Sequence, residues 1–362
     1  MKPRKRPTVS NLEPNQNATL FPSLGYFDEK RGSWKVLVHG RVYSTEKVPL
    51  GTRLLLKGLK RAMKATPEQV SSELFQQRIG GFLSKPVARC RIVLQLGEQR
   101  LALRRSTRGS GVFYSVLRLP KDHLPAPQPK LAGDKRVRER RVVPIRLLRP
   151  SPTNGTVHPP VQVDVHFVQP SGLSIISDID DTIKMTEATS RSEMLANTFL
   201  RPFEVVDGMV ELYQAWHTQG ADFHYVSSSP WQLYQPLADL CMSSNFPAGS
   251  MHLRYFRLRD EMFKRWRPVR NNKKVGIIAA ILKWLPNRQF VLVGDSGERD
   301  PEVYRFLARR FPNQVVAILI RNLPSRPLDR RRIRKLESIS KHCEVRMYQS
   351  ASEIADVASR YL

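Results

Sequence analysis

A chain of 362 residues, 41% of them hydrophobic, is long enough for two domains with buried cores. It holds no apolar run near the roughly 18 residues a membrane helix needs, and the basic stretch at residues 1–6 leads into no apolar segment, so neither a spanning helix nor a secretory signal is expected. The formal charge is +28, with +22 on residues 1–150 and +6 on residues 151–362, a field that favours nucleic acid, acidic lipid surfaces or phosphorylated molecules as partners. Cys90, Cys241 and Cys343 lie too far apart for a disulfide framework or a zinc spacing, which fits a reducing, cytoplasmic setting.

Taken in order, residues 1–33 are polar, basic and turn-rich and read as a flexible basic arm. Trp34 to Tyr43 alternates apolar with polar, which predicts a strand with a kink at Gly40. Leu50 to Lys64 has leucines at helical spacing. Thr66 followed by Pro67 starts a second helix, expected to run to Ile79. From Val87 the period falls to two. Short strands are expected at 91–96, 100–104, 112–119, 142–148 and 161–168, with a hairpin turn at 106–111 and an exposed proline-rich loop at 120–133. Residues 34–170 thus read as an accessory domain, a helical segment and then a β-sandwich-like part.

A boundary falls at Gln169-Pro170-Ser171-Gly172. Beyond it, strands are expected near 173–177, 223–227, 253–257, 290–293, 315–320 and 345–348. Helical stretches alternate with them at 208–217, 231–241, 274–285, 301–311, 328–338 and 352–361. Such alternation predicts a doubly wound, parallel α/β sheet over residues 171–362.

The first strand of that domain ends in Asp178, followed by Asp180 and Thr182. Carboxylates at the carboxyl end of a buried parallel strand lie where open α/β sheets bind ligands, and two that converge there repel unless a cation or proton intervenes. Ser227-Ser228-Ser229 end the second strand, and Gly294-Asp295-Ser296-Gly297-Glu298-Arg299-Asp300 follow the strand at 290–293, with Lys274 opening the helix before it. Acids, hydroxyls and a cation gathered at neighbouring strand ends suit phosphoryl transfer through a carboxylate.

These segments resemble the haloacid dehalogenase superfamily of magnesium-dependent phosphatases. More narrowly, 175–184 (IISDIDDTIK), 223–227 (FHYVS), 229–233 (SPWQL) and 291–298 (VLVGDSGE) with Asp300-Pro301-Glu302 resemble the actin-patch-type phosphatidate phosphatases. The resemblance covers about residues 173–321. It implies an aspartyl-phosphate phosphatase that converts phosphatidate to diacylglycerol and phosphate, with Mg2+ as cofactor.

By that resemblance Asp178 is the nucleophile, and Asp180 is the general acid and base. Ser227 binds the phosphoryl group, and Lys274 shares its charge, with Lys273 an adjacent rival for that role. Magnesium is held by Asp178, the Asp180 carbonyl and Asp295. Thr182 and Asp300 support the shell, and Ser228 and Arg257 contact substrate. An anionic phospholipid substrate implies reversible contact with an acidic membrane surface, expected through residues 1–150 and the arginine- and aromatic-rich stretch 254–270. Nucleic acid is a less favoured partner. The alternatives are a phosphatase of the same mechanism acting on soluble or nucleic-acid phosphomonoesters, and a non-catalytic module that binds acidic lipid. Arg330-Arg331-Arg332 with Arg334 and Lys335 reads as a solvated helix face.

Overall fold

The computed structural model of the chain describes residues 7–44, 50–123, 141–151, 159–186, 191–254 and 273–362. It divides into two compact units, Met1–Leu50 with Leu83–Gln169, and Gly51–Phe82 with Pro170–Leu362.

The first unit is built of β1 (Gln16–Leu20), β2 (Ser23–Asp28), β3 (Ser33–Ser44), β4 (Lys85–Pro86), β5 (Val93–Leu96), β6 (Gln99–Ala102), β7 (Val112–Pro120), β8 (Arg141–Leu147) and β9 (Gln162–Val168). Among the described residues these nine form one hydrogen-bonded sheet, in the order β1-β3-β2-β9-β8-β5-β6, with β4 and β7 also paired to β3. Alternate residues of several strands point inward. Val36, Val38, Leu94, Phe113, Ile145 and Val165 meet in a single apolar core. Gly40 sits where β1, β3 and β7 converge: a Cβ there would lie 2.5 Å from the Thr19 carbonyl oxygen.

Two expectations are corrected here. Residues 16–28 are not an arm but hold two strands, each paired to β3, because Leu20 and Leu24 give the turn-rich stretch an apolar face to bury. The part expected as β-sandwich-like is joined into one hydrogen-bonded sheet among the described residues, with β4 and β7 branching from its main path at β3. Residues 106–111 hold the expected turn, with Gly111 N donating to Arg108 O (2.8 Å), Arg108 N donating to Val112 O (2.9 Å) and Gly111 at a left-handed φ of 76°, while the strands on either side pair elsewhere, β6 with β5 and β7 with β3. The exposed-loop reading of 120–133 falls largely outside the described residues.

The second unit begins with α1 (Leu50–Met63), α2 (Pro67–Ser71) and α3 (Glu73–Leu83). Thr66 caps α2 as expected, in a reciprocal capping box with Gln69. Ser72 breaks the expected single helix, and α3 then runs through Gly80-Gly81. Buried Arg78 of α3 donates to the carbonyls of Thr198 (2.8 Å) and Arg201 (2.6 Å) and lies 3.7 Å over the Phe203 ring. The helical segment expected within the accessory domain therefore groups with the second unit.

The rest of this unit is β10 (Gly172–Ser177), β11 (Lys184–Met185), α4 (Arg191–Phe199), β12 (Glu204–Val205), α5 (Met209–Gln219), β13 (Asp222–Pro230), α6 (Tyr234–Ser243), β14 (Gly249–Arg254), α7 (Lys273–Trp284), β15 (Arg288–Asp295), α8 (Asp300–Arg310), β16 (Val315–Arg321), α9 (Arg330–Glu337) and β17 (Glu344–Tyr348). Six strands form a sheet in the order β14-β13-β10-β15-β16-β17, every pairing parallel. Ile175, Ile176, Leu292, Val293, Ile318 and Leu319 are wholly buried, as strands covered on both faces must be.

From β10 the chain steps outward to β13 and β14, then returns to β15 on the other side of β10. The crevice of such a sheet opens at the carboxyl ends of the strands beside that reversal. The helix expected at 352–361 is instead two short 3-10 turns, Ala351–Ile354 and Ala358–Arg360. Two carbonyls that a helix would need are taken by other partners: Trp216 Nε1 donates to Ala355 O, and Arg346 donates to Glu353 O.

Candidate active site

Asp178 leaves β10 with its amide hydrogen-bonded to Val293 O of β15, so its carboxylate stands between the two central strand ends. The chain then turns tightly. The amides of Thr182, Ile183 and Lys184 all reach back to Ile179 O, and Asp181 adopts a left-handed φ of 55°. Asp181 accepts from the Thr186 amide at 2.7 Å and so caps the loop. The turn buries Thr182 and brings Lys184 back beneath Asp180.

Lys274, the second residue of α7, is buried. Its ammonium lies 2.8 Å from Asp178 Oδ1 and 2.6 Å from Asp300 Oδ1. Lys273 is exposed, so geometry separates the two lysines. Asp295 closes β15 and accepts the amides of Gly297 (2.6 Å) and Glu298 (3.0 Å) through Oδ1. Gly294 is needed before it: a Cβ there would lie 2.3 Å from Asp300 Oδ2.

One carboxylate oxygen from each of Asp178, Asp295 and Asp300 lies within 4.8 Å of the others, and all three residues are buried. Asp178 Oδ2, Asp295 Oδ2 and Asp300 Oδ2 have no hydrogen-bond partner among the described residues. Three buried acids thus face one lysine. Burial pushes Asp178 upward against the pull of Lys274, and Asp300, Glu298 and Asp295 push it further. Asp295 is raised likewise by burial and by Asp300 and Glu298. Burial alone would lower Lys274, but Asp178 and Asp300 more than offset it and hold its ammonium charged. A hard divalent cation among the three oxygens would relieve the carboxylates' mutual repulsion, so the donor set fits one.

Asp180 faces away from this cluster. Its Oδ1 lies 2.8 Å from Lys184 Nζ and accepts from Thr186 Oγ1, and its Oδ2 accepts from Ser227 Oγ (3.3 Å) and Ser229 Oγ. Burial acts to raise Asp180, but Lys184, Ser229 and Thr186 outweigh it and hold the carboxyl below the ordinary range. Ser227 also accepts the Ser229 amide at 2.9 Å. Ser228 bonds to Glu298 rather than to either catalytic candidate.

The structure therefore brings Asp178, Asp295, Asp300 and Lys274 into one cluster and Asp180 with Ser227 into a second beside it. Thr182 lies buried beneath the loop that carries both aspartates. Arg257 lies outside the described residues. Sequence reasoning assigned no role to Lys184, Thr186 or Tyr304. The Tyr304 ring lies 5.6 Å from the Lys274 ammonium, and its hydroxyl donates to Val293 O. Tyr304 was findable from the helical spacing Asp300–Tyr304. Lys184 was not, because its approach depends on the reversal at Asp181. Arg332, read as part of a solvated face, is instead held against Glu302, Ser296 O and Glu298 O, since the loop after Asp295 offers it unpaired carbonyls.

An α/β domain with a carboxylate-and-lysine cluster at its central strand ends is the class defined so far. Residues 173–322 match the family described as Phosphatidate phosphatase APP1, catalytic domain. The likeness seen in the motifs thus holds across the segment that contains the site. Phosphatidate phosphatase APP1 of Saccharomyces cerevisiae is 33% identical over 263 residues, 69% of this chain and 40% of that protein. An uncharacterized protein of Schizosaccharomyces pombe is 32% identical over 166 residues, 45% of this chain and 27% of its own length. The chain spans less than half the length of these relatives.

Proposed function

We propose that the chain is a magnesium-dependent phosphatase that hydrolyses phosphatidate to diacylglycerol and phosphate through an aspartyl-phosphate on Asp178, on a haloacid dehalogenase-like domain. The strand-rich first unit serves as its accessory domain. The observation that carries the reading is the buried cluster of Asp178, Asp295 and Asp300 around Lys274, with Asp180 and Ser227 alongside.

Asp178 and Asp295 would hold the ion, as would the Asp180 carbonyl by the resemblance, and Asp300, expected only to support them, offers a third buried carboxylate oxygen within 4.8 Å of theirs. Magnesium bound there supplies charge neutralisation at the phosphoryl oxygens. Lys274 pulls Asp178 toward the ionised form that a nucleophile requires, against its burial, and the cation would add to that pull. Asp178 forms a bond to phosphorus as the bond to the glycerol oxygen breaks, and Asp180, which takes up a proton from solvent as the anionic phosphate enters beside it, gives that proton to the oxygen. Asp180, now ionised and favoured so by Lys184, takes a proton from water as the water oxygen attacks phosphorus. Phosphate then leaves and Asp178 is restored. Ser227 and Ser229 orient Asp180 through its Oδ2.

The substrate name comes from the matched family and the yeast relative. Among the described residues no helix is long and apolar enough to cross a membrane, so the proposed enzyme meets its lipid by reversible contact with an acidic surface. The same core would serve soluble or nucleic-acid phosphomonoesters. The deciding assay is phosphate release from phosphatidate vesicles against nucleotides and 3′-phosphorylated DNA. Release from phosphatidate above the other substrates supports the reading. Preference for a soluble ester replaces the substrate and keeps the mechanism, and no release from any of them would favour a binding module.

A further inference from the structure

Helices α8 and α9 carry positive charge that the proposed chemistry does not use. Arg309, Arg330, Arg331 and Arg334 are exposed and have no carboxylate partner among the described residues. Between the two helices lies a cleft of about 490 Å³, with Pro301, Phe306 and Leu336 in its apolar floor and Arg305, Arg309 and Lys335 on its rim. A second hollow of about 560 Å³ continues across Arg330, Arg331 and Arg334. The one carboxylate lining either hollow, Glu302, is already bonded to Arg332. Arg332 also donates to Ser296 O at 2.9 Å and Glu298 O at 2.7 Å. These carbonyls belong to the loop between Asp295 and Asp300, so the basic face borders the mouth of the candidate site.

We propose that this α8–α9 face is the surface by which the chain docks on an acidic lipid bilayer, an inference that rests on the reading of a membrane-borne phosphomonoester as substrate. The argument is one of charge and chemistry. Guanidinium groups match phosphate in geometry and remain charged. A face of arginines without counter-charges is attracted to an anionic leaflet, where each basic residue is worth about fivefold in partitioning. The half-buried Phe306 in the cleft favours a bilayer, whose acyl boundary can cover it, over a nucleic-acid backbone, which cannot. Docking here turns the loop of Asp295 toward the lipid.

The test is co-sedimentation of the full chain with vesicles of neutral lipid, with and without acidic lipid, as salt rises. The variant Arg330→Glu/Arg331→Glu/Arg334→Glu reverses three exposed charges. Two of them lie in the first turn of α9, where acidic residues suit the helix terminus, while Arg334 lies in the last turn, so circular dichroism checks that the helix is retained. The control Arg104→Glu/Arg105→Glu/Arg108→Glu makes the same charge change on exposed residues of the first unit. Melting curves confirm that both remain folded. The expected result is a loss of acidic-vesicle binding of at least about tenfold for the α9 variant, well beyond that of the control. Equal losses, or none, overturn the proposal. So does an α9 variant that loses duplex DNA binding while keeping its vesicles. Hydrolysis of a soluble short-chain phosphatidate by the unaltered chain tests the catalytic reading separately, because docking is scored by binding and not by turnover.

Discussion

Lys184 Nζ lies 2.8 Å from Asp180 Oδ1, although the two residues are not on a common helix. The left-handed Asp181 reverses the loop so that a buried ammonium returns under the carboxylate. Asp178 and Asp180, two residues apart, are thereby driven in opposite directions, one up by burial and the other down by its cation and hydroxyls.

Replacing Lys184 with Met removes the lowering influence on Asp180, so its carboxyl rises. The inflection that Asp180 sets in the pH profile of kcat/KM should therefore move to higher pH. A soluble phosphate ester is the suitable substrate, because it isolates proton transfer from vesicle binding. An unchanged profile would mean that Asp180 does not set it.

Gly294 is the close-approach point of the site. In Gly294→Ala the new methyl would press on Asp300 Oδ2 and on Tyr304, displacing the carboxylate from Lys274. Overpacking of this kind costs about 1–3 kcal/mol, read by denaturant unfolding. Turnover should fall by at least about tenfold, since the cluster depends on Asp300. Full activity with native stability would contradict the assigned role of Asp300.

Magnesium should raise the melting temperature of the native chain, and chelator should abolish both the rise and turnover. Binding to the folded state alone adds about 2.7 kcal/mol at a ligand concentration one hundred times Kd. Asp295→Asn should reduce the thermal shift at a given magnesium concentration, because an amide oxygen is a weaker partner for a hard cation. A shift that survives unchanged in Asp295→Asn would place the ion elsewhere.

Burial pushes the His166 imidazole in β9 down to about 4 from its usual 6.5. The unfolded chain takes up this proton near the usual value, and the folded chain only near the lower one. Stability from the neutral imidazole is thus fully present above pH 6.5 and is lost as pH falls toward about 4. His166→Gln keeps a neutral polar group and should flatten the melting temperature of the first unit across that window. An identical pH slope in the variant would show that other groups control it.

Much of this architecture was legible because the signal was periodic. Phe290–Val293 and Val315–Ile320 are continuous apolar runs, Leu173–Ser177 is apolar but for Ser174 and Ser177, and each lies inside an observed buried strand. The cluster of Asp178, Lys274, Asp295 and Asp300 was legible in the motifs because each residue falls at or beside a strand or helix terminus. What escaped depends on tertiary choice. Residues 16–28 become strands only because β3 and β9 offer them edges. The C-terminal stretch fails as a helix because Trp216 and Arg346 take its carbonyls. Lys184 and Arg332 acquire partners through chain reversals that no local spacing encodes.

The most direct test is acid quenching of the full chain during turnover of phosphatidate labelled in its phosphate, followed by mass spectrometry of the peptides. The account predicts a phosphoryl group on the peptide containing Asp178, strengthened in Asp180→Asn if the first transfer survives. Asp178→Asn should lose both the label and phosphate release. Steady phosphate release by Asp178→Asn would contradict it.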